Sequence, residues 1–183
     1  MAEALEEPVF TLEDLVALPD DGYRHELLWG ALVMTPAPSA HHADLVDGLA
    51  VALRAACPAH LRVRTNSGIV VPGRPVVNAP AADLYVCRRD APAAGRYVEA
   101  RDVLLAVEVS LSTRRRDAGL KADAYAAGGV EWYWLVTKDH DLEVRRLGPD
   151  GAFELVLVAR PGSVTPLPGP VPLALDPGAL ADG

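Results

Sequence analysis

The sequence is short of several things, and each shortage removes a class of protein. No apolar run in its 183 residues reaches the roughly 18 that suggest a helix crossing a bilayer. The first residues, Met1 to Pro8, are acidic with no apolar stretch behind them. That predicts neither a secretory signal nor a transit peptide, and makes the cytoplasm the expected location. There are two cysteines, Cys57 and Cys87, each in an apolar context without a second Cys or a His at metal-ligand spacing. They predict two small buried hydrophobes rather than metal ligands. Basic charge is in deficit, with 17 Lys and Arg against 25 Asp and Glu, a net charge of -8 and a pI of about 5.0. This balance argues against a strongly basic, non-specific nucleic-acid binder. It leaves room for a nuclease, whose clustered carboxylates add negative charge that a metal ion offsets.

Lysine is the scarcest charged residue: of the 17 basic residues only Lys121 and Lys138 are lysines. Lysine carries a compact charge whose pKa moves on burial, as a guanidinium's does not. A lysine in so arginine-biased a chain invites a specific role. The five histidines form no metal-binding motif. His41 and His42 are adjacent, so on a helix their side chains diverge by about 100°.

What is there fits one α/β (α+β) domain at residues 11–160, between a short N-terminal tail, 1–10, and a proline-rich C-terminal segment, 161–183. Half the residues are hydrophobic and 23% are charged. Thr11-Leu12-Glu13-Asp14 reads as a capped helix start that Pro19 ends. Tyr23 to Leu28 and Ala31 to Thr35 read as strands about a Trp29-Gly30 turn. Ser39 caps a longer helix to about Ala56, with Leu45, Leu49, Leu53 and Ala56 on one face. Leu61 to Thr65 and Ile69 to Val71 read as a hairpin around Asn66-Ser67-Gly68. Asp83 to Cys87 is a short strand, and 88–101 a polar loop. Val103 to Val109 is a strand buried on both faces. A helix over 114–127 ends at Gly128-Gly129, and a three-stranded meander follows to Val158. The six prolines from Pro161 to Pro177 exclude a central strand there.

Glu108 is the most informative position, a lone carboxylate in an otherwise apolar strand. Such a group is costly unless paired. It is either a metal ligand or acid–base group at a strand end, or a strand-mouth carboxylate paired with an arginine among 114–116. Asp83 has the same character on a shorter strand. Two successive strands each offering one acid could bring both to a single cation. Lys121 stands thirteen residues after Glu108, on a helix face shared with Asp117 and Tyr125. It is either a surface partner of Asp117, worth about 0.3–0.5 kcal/mol, or a group turned back over the strand end.

In order and spacing these segments resemble the Uma2 family, grouped with the PD-(D/E)xK nucleases. The resemblance rests on Tyr23-Arg24-His25-Glu26-Leu27-Leu28-Trp29-Gly30-Ala31-Leu32 and on Ser39-Ala40-His41-His42. It rests further on Val107-Glu108-Val109, Arg116-Asp117, Lys121, Tyr125 and Gly129-Val130 with Tyr133-Trp134-Leu135-Val136. The chain departs from the family pattern at Ala82-Asp83, where Pro-Asp is common, and at Ser110-Leu111-Ser112-Thr113, where a Ser-Pro element is common. Ser110 also occupies the place of the lysine in a Glu-x-Lys motif. The resemblance implies a restriction-endonuclease-like mixed sheet flanked by helices, and an endonuclease dependent on Mg²⁺ (or Mn²⁺) acting on nucleic acid, with DNA the expected substrate. Asp83 and Glu108 would bind the metal, Lys121 and Glu26 would complete the catalytic set, and Arg114, Arg115, Arg116 and His42 would contact nucleic acid. Two alternatives stay open: a catalytically inactive interaction protein on a nuclease fold, and a metal-dependent hydrolase of a small phosphoester. The apolar meander and proline-rich tail leave a homodimer open, and no membrane partner is expected.

Overall fold

A strand that is apolar at every position but Glu108 and Ser110 needs cover on both faces, and Val103–Ser110 has it, in the middle of a seven-stranded mixed sheet. The computed structural model describes residues 9–19, 21–35, 37–73, 76–92, 97–111 and 116–181, with backbone alone at 116–118. In chain order the first half holds α1 (Leu12–Ala17), β1 (Arg24–Leu28), β2 (Ala31–Thr35), α2 (Ala40–Ala56), β3 (Leu61–Val70), β4 (Ala81–Arg88) and β5 (Tyr97–Glu99). Then come β6 (Val103–Ser110), a π-helical turn (Arg116–Lys121) running into α3 (Ala122–Ala127), β7 (Trp132–Thr137), β8 (Leu142–Leu147) and β9 (Phe153–Ala159). The short strands β10 (Thr165–Leu167) and β11 (Leu173–Leu175) and a 3-10 turn (Pro177–Ala181) close the chain.

The main sheet has the order β5-β3-β4-β6-β7-β8-β9. β3–β5 and β6–β7 are parallel, and its other pairs are antiparallel. β1–β2 and β10–β11 form separate antiparallel hairpins. The helix starts follow local chemistry. Thr11 and Asp14 close a capping box on α1, and the Ser39 hydroxyl accepts from the His42 amide at the head of α2.

Alternation along β6 sorts its side chains to two cores. Leu105, Val107 and Val109 meet Leu45, Leu49 and Leu53 of α2 on one face; Ala106 meets Ala122 and Tyr125 of α3 on the other. The C-terminal turn seats on α2 where Gly48 leaves room: a Cβ there would lie 2.0 Å from the Leu180 carbonyl oxygen. A third, smaller cluster joins Leu15, Leu27 and Ala79 beneath the β1–β2 hairpin.

Three local expectations change. The hairpin expected around Asn66-Ser67-Gly68 is one continuous strand, β3. Asn66 takes a positive φ of 49° without reversing the chain, because β4 pairs on both sides of it in unbroken register. The loop expected over 88–101 contains β5, whose Tyr97 ring lies where a Cβ on Gly68 would fall, 2.4 Å away. The helix expected from 114 to 127 begins, among the described residues, as a π-turn. This resets the Asp117–Lys121 spacing that an α-helical i, i+4 pair requires. Among the described residues no helix is long and apolar enough to cross a membrane.

Candidate active site

Three acids and one lysine arrive from four elements at one end of the sheet. Glu26 comes from β1, Asp83 from β4, Glu108 from β6 and Lys121 from the π-turn. The β4–β6 register pairs Leu84 with Val107. Its next step sets Asp83 opposite Glu108, so both side chains leave the same face. That face is the one α3 covers, which brings the helix start over the strand end.

All four groups are buried, each no more than 2% exposed. Lys121 Nζ lies 2.9 Å from both Glu26 Oε1 and Glu108 Oε2, and donates to the Ala81 carbonyl at 2.9 Å. Tyr125, one helical turn beyond Lys121, donates its hydroxyl to Glu108 Oε1 at 2.6 Å. The Ala81 amide donates to Glu26 Oε1 at 2.8 Å. Asp83 is held from three sides, by Arg24 Nη1 at 2.7 Å, by His42 Nε2 at 3.2 Å and by the Val109 amide at 2.9 Å. Arg24 Nη2 also donates to the Ala81 carbonyl, at 2.6 Å. Of the two readings of Lys121, the structure has the one turned back over the strand end, since the lysine is inside and bound to Glu26 and Glu108.

Convergence of two acids predicts a raised carboxyl pKa at one of them. Asp83 goes the other way. Burial pushes it up, but the His42 hydrogen bond and the Arg24 and Lys121 charges outweigh burial and hold it well below the usual carboxylate range. At Asp83 the cations inside the cluster reverse the sign that burial alone would give. Burial would lower the Lys121 ammonium, but Glu108 and Glu26 win and raise it. Lys121 is therefore held as an ammonium. Burial and then Glu108 push the Tyr125 phenol well above its ordinary value, so it stays a proton donor.

A depressed folded-state pKa stabilises the protein above the unfolded value, about 3.9 for Asp, and that contribution is lost as pH falls toward the folded value. Asp83→Asn should therefore be less stable than wild type at pH 6. The gap should narrow steadily below about pH 4. Denaturant midpoints from pH 2 to 7 in EDTA measure this, and parallel curves for the two proteins would contradict it.

Two members of the cluster escaped the sequence reading. Arg24 stands two residues before Glu26 on β1, and period-two alternation puts them on one face. Tyr125 was placed on the Lys121 face, but without a partner. His42, read as a nucleic-acid contact, has its Nε2 on Asp83, while its Nδ1 is buried with no hydrogen-bond partner among the described residues. Ser110 follows Glu108 on the same strand face. It is buried, and its hydroxyl has no partner among the described residues. Arg114 and Arg115 lie outside the described residues, and Arg116 is described by its backbone alone.

Trp29 rims the site. It occupies the β1–β2 turn at φ 54°, a left-handed conformation rare for a bulky side chain. Asn78 Oδ1 accepts from its amide at 2.6 Å, and its indole donates to the Leu120 carbonyl at 3.2 Å, beside Lys121. Its side chain stays half exposed, whereas Trp134 is fully buried.

Comparison with known proteins agrees with this architecture. A solved structure from Anabaena variabilis, described as a "putative nuclease belonging to DUF820", superposes with a TM-score of 0.72 at 16% identity. The match covers 94% of this chain and 98% of that one, and at this identity it speaks for the fold. No curated protein matches the chain. The profile of the Uma2 family, described as "Putative restriction endonuclease", matches residues 12–178. The restriction-endonuclease-like sheet, the acids of β4 and β6 at its end and a profile match over nearly the whole chain agree, and the chain belongs to the Uma2 family.

Proposed function

We propose that this protein is a divalent-metal-dependent endonuclease that hydrolyses phosphodiester bonds of nucleic acid, with DNA as its substrate. The observation that carries the reading is the burial of Glu26, Asp83 and Glu108 around Lys121 at one sheet end. Burying so much charge is costly, and apolar residues would build the same core more cheaply. Clusters of this kind are retained where chemistry needs them.

The donor chemistry is that of a hard cation, although among the described residues no three His, Cys, Asp or Glu side chains are placed as a metal-binding group. All three acids offer oxygen, which Mg²⁺ and Mn²⁺ prefer. Three carboxylates against Arg24 and Lys121 leave one negative charge uncompensated when His42 is neutral. Asp83 and Glu108 would hold the ion, with Glu26 beside them. A divalent ion bound there supplies Lewis-acid activation of water and neutralises the scissile phosphate.

The chain's own groups do the rest. Water oxygen bonds to phosphorus as one ester P–O bond breaks; the electron pair of that bond leaves on the ester oxygen, and the proton released by the water passes through solvent to that oxygen, giving a phosphomonoester and a free hydroxyl. Lys121, whose three donors face Glu26, Glu108 and the Ala81 carbonyl, acts through its charge on the negative charge that builds on the phosphoryl oxygens. Tyr125 and Lys121 together fix the Glu108 carboxylate in place. Arg114 and Arg115, before the π-turn in sequence, and Arg116, its first residue, are the phosphate contacts in this proposal, and His42 orients Asp83.

One observation favours a second reading, an inactive scaffold. Both oxygens of Glu108 are already occupied, by Tyr125 and Lys121. The deciding experiment incubates the protein with duplex DNA, single-stranded DNA and RNA, in Mg²⁺, in Mn²⁺ and in EDTA. Metal-dependent internal cleavage of DNA is the expected result. Absence of cleavage of all three substrates in both metals would establish the scaffold. Cleavage of RNA alone would correct the substrate.

A further inference from the structure

A second cluster of metal-ligating side chains lies outside the carboxylate site. His41 is the second residue of α2, and His140 sits in the tight turn between β7 and β8, 99 positions away. Their Nε2 atoms face each other at 3.1 Å, with ring centroids 5.1 Å apart and planes tilted by 30°. Two neutral imidazoles at this distance can share one proton. The same spacing also suits two ligands of one ion. With metal–nitrogen bonds of about 2.0–2.1 Å, two nitrogens stand about 2.9 Å apart at a right angle and about 3.3 Å apart at the tetrahedral angle.

The backbone independently singles out His140. Its φ is 62°, in the left-handed region that most side chains avoid and that asparagine, aspartate and histidine enter more often than other non-glycine residues. The turn holds it there through the His140 amide on the Thr137 carbonyl and the Thr137 amide on the Asp141 carbonyl, both at 2.9 Å. A strained non-glycine residue of this kind persists where the surroundings over-determine it. Here the strain aims one imidazole at another.

We propose that His41 and His140 bind a borderline transition-metal dication, Zn²⁺, Ni²⁺ or Cu²⁺, at a site separate from the carboxylate cluster. Imidazole nitrogen selects these ions, with Cu²⁺ and Ni²⁺ favoured by the general affinity order, whereas Mg²⁺ takes oxygen. Among the described residues no third His, Cys, Asp or Glu completes a metal-binding group. The ion's remaining positions therefore belong to water or to an outside anion such as a phosphate oxygen. His41 is exposed, so that side is open. The positive end of α2 opposes a cation, so the site is a weak, exchangeable one. It bridges the head of α2 to the β7–β8 turn, and the next residue on that helix, His42, is the one that reaches Asp83.

The test is calorimetric titration of the untagged full chain with Zn²⁺ and with Ni²⁺, in excess Mg²⁺ to occupy the carboxylate site. Wild type is compared with His41→Gln and with His140→Asn, which keeps a residue tolerant of positive φ. Groups behind a metal ligand are worth about 10–100-fold in affinity, and a ligand itself no less. The expected result is one site in wild type, weakened about tenfold or more in each variant. Far-UV circular dichroism checks that both variants fold. No binding by wild type, or equal affinity in His140→Asn, would overturn the proposal and leave the pair as a shared-proton contact.

Discussion

Lys121→Met is expected to lower the melting temperature by about 6–20 °C and to remove nearly all cleavage. Removing one partner of a buried ion pair costs about 3–5 kcal/mol, because the remaining charge is left unpaired. In a domain of this size each kcal/mol moves the melting temperature by about 2–4 °C. Here two acids, Glu26 and Glu108, lose their shared cation at once. A surface pair would be worth well under about 1 kcal/mol, so the two cases separate cleanly. The double variant Lys121→Met, Glu108→Gln should lose less than the sum of the single losses, since one of the stranded charges is gone. Melting curves in EDTA measure the stability arm. Single-turnover cleavage at saturating Mg²⁺ measures the other, with Lys121→Arg included. Arginine keeps the charge but not the size or the compact donor geometry, and should not restore full rate. A melting temperature within about 2 °C of wild type would mean that the lysine is not an internal ion-pair partner. Wild-type cleavage by Lys121→Met would remove it from the mechanism.

The layout of the fold was largely legible because most segments obey one period. Thr11 and Ser39 announce their helices by capping, and Val103 to Val109 is too apolar for anything but a covered strand. β3 misled because Asn-Ser-Gly carries the local chemistry of a turn, and only the strands on either side of it keep the chain straight. Tyr97 to Glu99 was invisible for the opposite reason, being too short to show a period. At the site, Asp83, Glu108, Glu26 and Lys121 could be named one by one from type and position. Their pairing could not be read. A helix of strictly α-helical spacing suggests Asp117 as the partner of Lys121, and the π-turn that redirects the lysine follows from packing against the strand end. The low pKa of Asp83 could not be read, because Arg24, which helps to hold it down, lies 59 positions away in sequence. The His41–His140 contact was beyond any motif, since the two residues meet only through the sheet and α2.

The last expected result concerns metal. Mg²⁺ or Mn²⁺ should raise the melting temperature of wild type, EDTA should reverse the rise, and Glu108→Ala should abolish both the rise and cleavage. An ion that binds only the folded state stabilises it by mass action, about 2.7 kcal/mol at a hundred times its Kd, or about 5–11 °C here. The structure sets the difficulty of that binding. Each oxygen of Glu108 already accepts a hydrogen bond, so an ion gains the carboxylate only by displacing or sharing Tyr125 and Lys121. The uncompensated negative charge of the cluster and the fully ionised state of Asp83 drive it in that direction. Glu108→Ala removes the acid without stranding Lys121, which keeps Glu26 at 2.9 Å. Glu108→Gln serves as the second variant, because it keeps an oxygen for Tyr125 while removing the charge. Both should fold by circular dichroism and both should be blind to Mg²⁺. The histidine pair does not confuse the result, since imidazole is a poor Mg²⁺ ligand. Equal shifts in wild type and both variants would place the ion elsewhere and take Glu108 out of the metal site.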